Sequence, residues 1–202
     1  MQRRDAVIDI IAVVGVCLTY VLLEVLHLPK RWTLLVMALA LAVYATYFIR
    51  RRGDSWHALG FRADNLRAAV VPIGVTTLVA AAGLVAVALR QGRAAWGPEV
   101  LLLLGLYPTW ALAQQLAFQG VLHRRLMLFL RPPALQVLIT ATAFSSVHYG
   151  SFVLMTLTFT AGLLWSLLYR RWPNLWLLAG SHTVLAALAY PLILADDPLS
   201  RF

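Results

Sequence analysis

Cysteine is almost missing from this chain. Cys17 is the only one in 202 residues, so no intramolecular disulfide can form. Its place inside an apolar run marks it as a buried, inert thiol. Charge is also scarce: 12% of residues are charged, against about a quarter in soluble domains. Acid is scarcer than base, with 8 Asp and Glu against 17 Lys and Arg and a net charge of +9. There are no internal repeats and no low-complexity tracts. What fills the chain is apolar: 61% of residues, with a mean hydropathy of +0.79. This composition fits an integral membrane protein, and the length suits one membrane domain over residues 1–202. The positive charge does not point to nucleic acid. The basic residues fall in short clusters between apolar runs, as in membrane loops facing anionic lipid.

A span needs about 20 mainly apolar residues. The sequence predicts an all-α membrane bundle of about seven spans. The first is Ala6–Leu28, a retained span, being too long for a signal-peptide core and lacking a clear cleavage site. The others are Trp32–Ile49, Ala68–Leu89, Val100–Leu122 with a kink at Pro108, the short Ala134–His148, Phe152–Tyr169 and Leu175–Leu194. Between the second and third lies the most polar loop, residues 50–67. Its amphipathic piece Trp56–Phe61 is expected on the membrane surface. His123, Arg124 and Arg125 are read as a membrane boundary. Most of the 17 basic residues fall on one side if the N-terminus is cytoplasmic, which predicts that orientation.

Gln114-Gln115-Leu116-Ala117-Phe118-Gln119-Gly120 is the unusual stretch. Three amides sit in an apolar helix, and an unpartnered buried amide costs about 1–3 kcal/mol. Gln115 and Gln119 are four apart, on one helical face, and are expected to bond each other. Two later spans offer polar groups at Phe144-Ser145-Ser146-Val147-His148 and Ser181-His182. Ionisable groups inside a membrane are functional candidates. For His148 and His182 the plain alternative is one interhelical hydrogen bond each. Two histidines are too few for a usual catalytic zinc site, so no metal or other cofactor is expected, and bis-histidine haem has no further support. Asp9 and Glu24 on the first span read as helix-end groups near water or as partners for His27.

In order and helix placement these stretches resemble the CPBP or Abi family, which contains type II CAAX prenyl endopeptidases and bacteriocin-processing or immunity proteins. Members carry Glu-Glu-x-x-x-Arg, then Phe-x-x-x-His, then His-x-x-x-Asn or Asp. Here the corresponding residues are Gln114, Gln115 and Gln119; Phe144 and His148; and His182 and Ala186. Trp56–Phe61 resembles the short Leu-Gly-Phe element before the family core, so the resemblance covers about residues 55–195. It implies a bacterial cytoplasmic-membrane protein whose partners are membrane lipid and a membrane protein or terminal peptide. It also implies that the first Glu and a His activate water while the second His and the Asn stabilise the oxyanion.

The departures change the chemistry. An amide at Gln114 cannot serve as general base near pH 7. Both partners of the family's Glu–Arg pair are replaced together, which leaves no orphan charge. Two readings follow: a protease-fold scaffold or immunity-type factor with weakened or absent activity, or an active endopeptidase using His148 and His182 with a water placed by Gln114. In the second case a Glu24 reaching the site would supply the base. A shared site needs Gln114 and His148 at one depth. If Arg124 marks the boundary, residues 132 to about 138 have to run along the surface first.

Overall fold

The computed structural model describes residues 3–26, 36, 39, 40, 43, 44, 46, 54–93 and 97–194. The expected second span, His27, Arg50 to Arg52 and the chain end from residue 195 lie wholly or mostly outside these. The described regular structure is entirely helical. Helix α1 is Arg3–Val25 and α2 is Leu66–Arg90. Helix α3, Pro98–Leu106, meets α4, Pro108–Gln115, at a bend of 55°. Pro108 cannot donate the backbone hydrogen bond that a straight helix would need there, as the sequence suggests. From α4 the chain continues as a π-helix, Leu116–His123, and then as α5, Arg124–Phe129. Helices α6 (Pro133–Ser146), α7 (Phe152–Arg171) and α8 (Leu175–Ala189) follow, and a π-helical turn, Tyr190–Leu194, ends the described chain.

Among the described residues four helices are long and apolar enough to cross a membrane, or five if the bent pair around Pro108 is one span. The protein is an integral membrane helical bundle. Its outer faces carry exposed Leu78, Val79 and Phe152, which suit lipid and not water. Its centre holds Leu59, Leu122, Phe144, Trp165, Leu175 and Leu178, with Cys17 buried and unpaired beside them. Close approach of α6 and α7 depends on Gly162, where a Cβ would sit 3.0 Å from Ala141 Cα.

The segment 54–65 turns its Leu59–Gly60 piece into the bundle and keeps Ser55, Trp56, His57, Ala63 and Asp64 exposed. Leu59 is fully buried, and its carbonyl accepts from Tyr169 Oη at 2.8 Å. Gly60, at φ +106°, accepts from Leu175 N at 2.8 Å. Asn174 donates to Arg62 O at 2.9 Å and to Asn65 Oδ1 at 2.8 Å. These backbone groups need partners once the apolar Leu59 draws them inward, and the turn between α7 and α8 supplies them. The rim of the segment stays in solvent. There the Arg62 guanidinium holds the Asp64 carboxyl well below the usual carboxylate range, and His57 adds to it. Trp56 is exposed and packs edge-on against Phe61, which packs on Trp176.

The boundary expected at His123–Arg125 is inside the protein. Arg125 is 2% exposed and donates to Asp9 at 2.7 Å and to Asp54. Asp9 also accepts from Tyr44. Asp9 is therefore a buried ion-pair partner and not a helix-end group near water. Fully buried His123 donates from Nδ1 to Thr140 Oγ1 at 2.9 Å, since the Thr140 hydroxyl itself donates to Gln136 O. A basic triplet resembles a membrane boundary, but carboxylates on two other segments neutralise this one.

That correction removes the depth problem. The π-helix and α6 run antiparallel, with His123 beside Thr140 and Phe118 against Phe144 at 5.1 Å between ring centroids. The same register sets Gln115 level with His148. Residues 133–146 are helical throughout.

Candidate functional site

The two histidines singled out in the sequence flank one aromatic side chain. Phe144 is buried on α6, with ring centroids 5.1 Å from His148 and 5.5 Å from His182. His148 stands one turn beyond it, just past the end of α6, and His182 projects from α8. Trp165, on α7, lies 4.7 Å from His182, and Tyr107, at the Pro108 bend, lies 5.6 Å from it. Trp165 is held in place because its Nε1 donates to Ser181 Oγ at 3.0 Å, and Thr77 of α2 hydrogen-bonds the same hydroxyl at 2.7 Å. Trp165, Tyr107 and Thr77 carry no signal in the sequence, since aromatic and Thr residues on apolar helices are ordinary core.

The three glutamines are buried in α4 and the π-helix. The bond to His182 comes from Gln115, whose Nε2 lies 3.5 Å from His182 Nδ1, at the outer limit of a hydrogen bond. Gln115 and Gln119 do not pair with each other, contrary to the expectation. Among the described residues the Oε1 atoms of Gln114, Gln115 and Gln119 all lack a partner. The physical reason lies in the backbone. The expected contact assumes α-helical spacing, whereas a π-helix begins at Leu116, between the two residues, and changes their angular offset. Such π segments often occur at functional sites. This one is also tightly packed: a Cβ at Gly120 would sit 3.2 Å from Leu59 O and 3.1 Å from Leu175 Cδ1. The Leu-Gly piece of the 54–65 segment thus fits directly against the glycine that ends the glutamine motif.

A hydrogen bond determines the tautomer of His148. The Phe144 carbonyl can only accept, and His148 Nδ1 is 2.9 Å from it, so Nδ1 carries the proton. His148 Nε2 then keeps its lone pair and can accept. His148 therefore offers a basic nitrogen. The Gln115 amide stands 3.5 Å from His182 Nδ1, and either ring nitrogen of His182 can carry its proton. Ala186, one turn beyond His182, is buried and adds no side-chain donor. Glu24 is half-buried in the last turn of α1 and already has a partner. Among the described residues no three His, Cys, Asp or Glu side chains gather as a metal site would need.

Residues 95–188 match the family model described as type II CAAX prenyl endopeptidase, Rce1-like. The matched stretch takes in α3 to most of α8, and with them the glutamines, Phe144, His148, His182 and Ala186. It begins after the 54–65 segment. No curated protein and no solved structure matches the chain.

Proposed function

We propose that this chain, whose residues 95–188 belong to the type II CAAX prenyl endopeptidase family, binds a peptide segment in the membrane with little or no hydrolysis of it. The observation that carries this reading is the set of three buried amide oxygens, on Gln114, Gln115 and Gln119, without partners beside the two histidines. Amide oxygens accept hydrogen bonds but do not take up a proton near pH 7. They suit the backbone N–H groups of a bound strand or terminal segment and do not activate water. One missing general base costs about 10²–10⁴ in rate. A missing oxyanion donor at Ala186 costs about 10²–10³ more. The protein would then act as a scaffold, regulator or immunity-type factor for a membrane partner.

The His148 tautomer favours a second reading. His148 Nε2 could take a proton from water while a His182 N–H donates to the oxyanion, giving an endopeptidase without a carboxylate. The two readings separate in one experiment. The purified protein in detergent is offered membrane peptides, prenylated and plain, with binding and cleavage both followed. The expected result is binding without detectable cleavage, and no change in that cleavage assay on His148→Ala. The combined variant Gln114→Glu, Gln115→Glu, Gln119→Arg and Ala186→Asn is expected to gain activity. Robust wild-type cleavage that disappears in His148→Ala would establish the peptidase instead.

A further inference from the structure

A cleft of about 490 Å³ opens at the turn end of the α5–α6 hairpin, where the last turn of α7 closes one side. Arg131, Arg170, Gln136, Met127 and Leu128 line it, and among the described residues no carboxylate does. Twelve residues of α6 separate Gln136 from His148, or about 18 Å along the helix axis, so this is not the histidine site. Arg170 is preorganised. Its Nη1 donates to Gln136 Oε1, and Gln136 Nε2 donates to Leu130 O. Gln136 is 3% exposed, so this support is built into the protein and is not a surface accident. The other guanidinium N–H groups of Arg170 remain for a ligand. Arg131 brings a second guanidinium to the same cleft, and two like charges there repel unless an anion joins them.

We propose that this cleft binds the phosphate of an anionic phospholipid. Guanidinium groups match phosphate oxygens in a two-point geometry that the positive charge strengthens. The level fits a headgroup, because Arg170, Arg171 and Trp172 end α7 with the basic and aromatic residues typical of a membrane interface. Exposed Met127 and Leu128 lie beside the phosphate position and offer apolar surface to the acyl chains. These apolar walls favour a lipid over a free anion.

The test is retention of lipid by the full chain, read by native mass spectrometry after exposure to equal amounts of phosphatidylglycerol and phosphatidylcholine. Wild type is expected to retain phosphatidylglycerol about tenfold more, because both lipids carry the phosphate but choline sets a cation beside the two guanidinium groups. Arg131→Gln/Arg170→Gln should abolish the preference. Arg131→Gln alone, at an exposed side chain outside the Gln136 network, should reduce it with the fold intact. Equal retention of both lipids by wild type, or an undiminished preference in Arg131→Gln and in the double variant, would overturn the proposal. So would full displacement of the lipid by millimolar inorganic phosphate, which would show a phosphate site without a lipid component.

Discussion

One helical run carries two buried polar clusters that are finished in opposite ways. At Arg125 one guanidinium meets two carboxylates: its donors reach Asp9 of α1 and Asp54 of the 54–65 segment, and among the described residues only its Nη1 is unpartnered. Two turns earlier, Gln114, Gln115 and Gln119 are neutral and are left with three bare oxygens. Burying a charge is far more costly than burying an amide, so the charged cluster had to be closed by carboxylates within the protein. Its partners come from two other segments, and it therefore joins them to the α5–α6 hairpin. The amides tolerate incomplete bonding, and they stand near the lone pair that His148 presents. The closed cluster ties α1 and the 54–65 segment to the helix that carries Arg125.

The sharpest way to break this contrast is to remove the charge at its centre. Arg125→Ala leaves two carboxylates facing each other and should destabilise the protein by about 3–5 kcal/mol in detergent melts. Replacing Asp9 and Asp54 with Leu at the same time as Arg125 with Met should restore most of that stability. A triple variant no more stable than Arg125→Ala would mean that the cluster is not a closed unit. A smaller loss is expected at Gly120. Gly120→Ala has to displace Leu59 O or Leu175, which should cost about 1–3 kcal/mol as overpacking. Since Asp54 and Leu59 belong to the same segment, Gly120→Ala and Arg125→Ala should be non-additive in a double-mutant cycle. Strict additivity would separate the segment's two attachments. The smallest effect is expected among the amides. Gln119→Met removes a buried, unpartnered acceptor and should change stability by less than about 1 kcal/mol or raise it. The same variant should weaken peptide binding, and unchanged binding would show that the Gln119 oxygen plays no part in it.

Much of the fold was legible because hydropathy has one dominant cause in a membrane. The runs that became α1, α2, α7 and α8 are long, apolar and bounded by Arg or Pro, and the kink followed from Pro108. The gathering of His148 and His182 near Phe144 was also readable from motif order. The burial of Arg125 was not readable, because a basic triplet looks the same whether lipid headgroups or two distant aspartates meet it. The inward turn of the 54–65 segment escaped for a similar reason. Trp56 and Phe61 suggest a surface, whereas Leu59 decides the direction only because Gly120 and Tyr169 make room and a donor for it.

Composition and pattern alone determined that this is a membrane helix bundle, since that property depends only on which side chains are present and in what order. The tertiary structure decided the bonding. The π-helix that begins at Leu116 turned an expected Gln115–Gln119 pair into a Gln115–His182 contact and left the amide oxygens open. The Phe144 carbonyl placed the His148 proton on Nδ1. Hydrogen bonds depend on distances of a few tenths of an ångström between groups far apart in the chain, and only packing sets those.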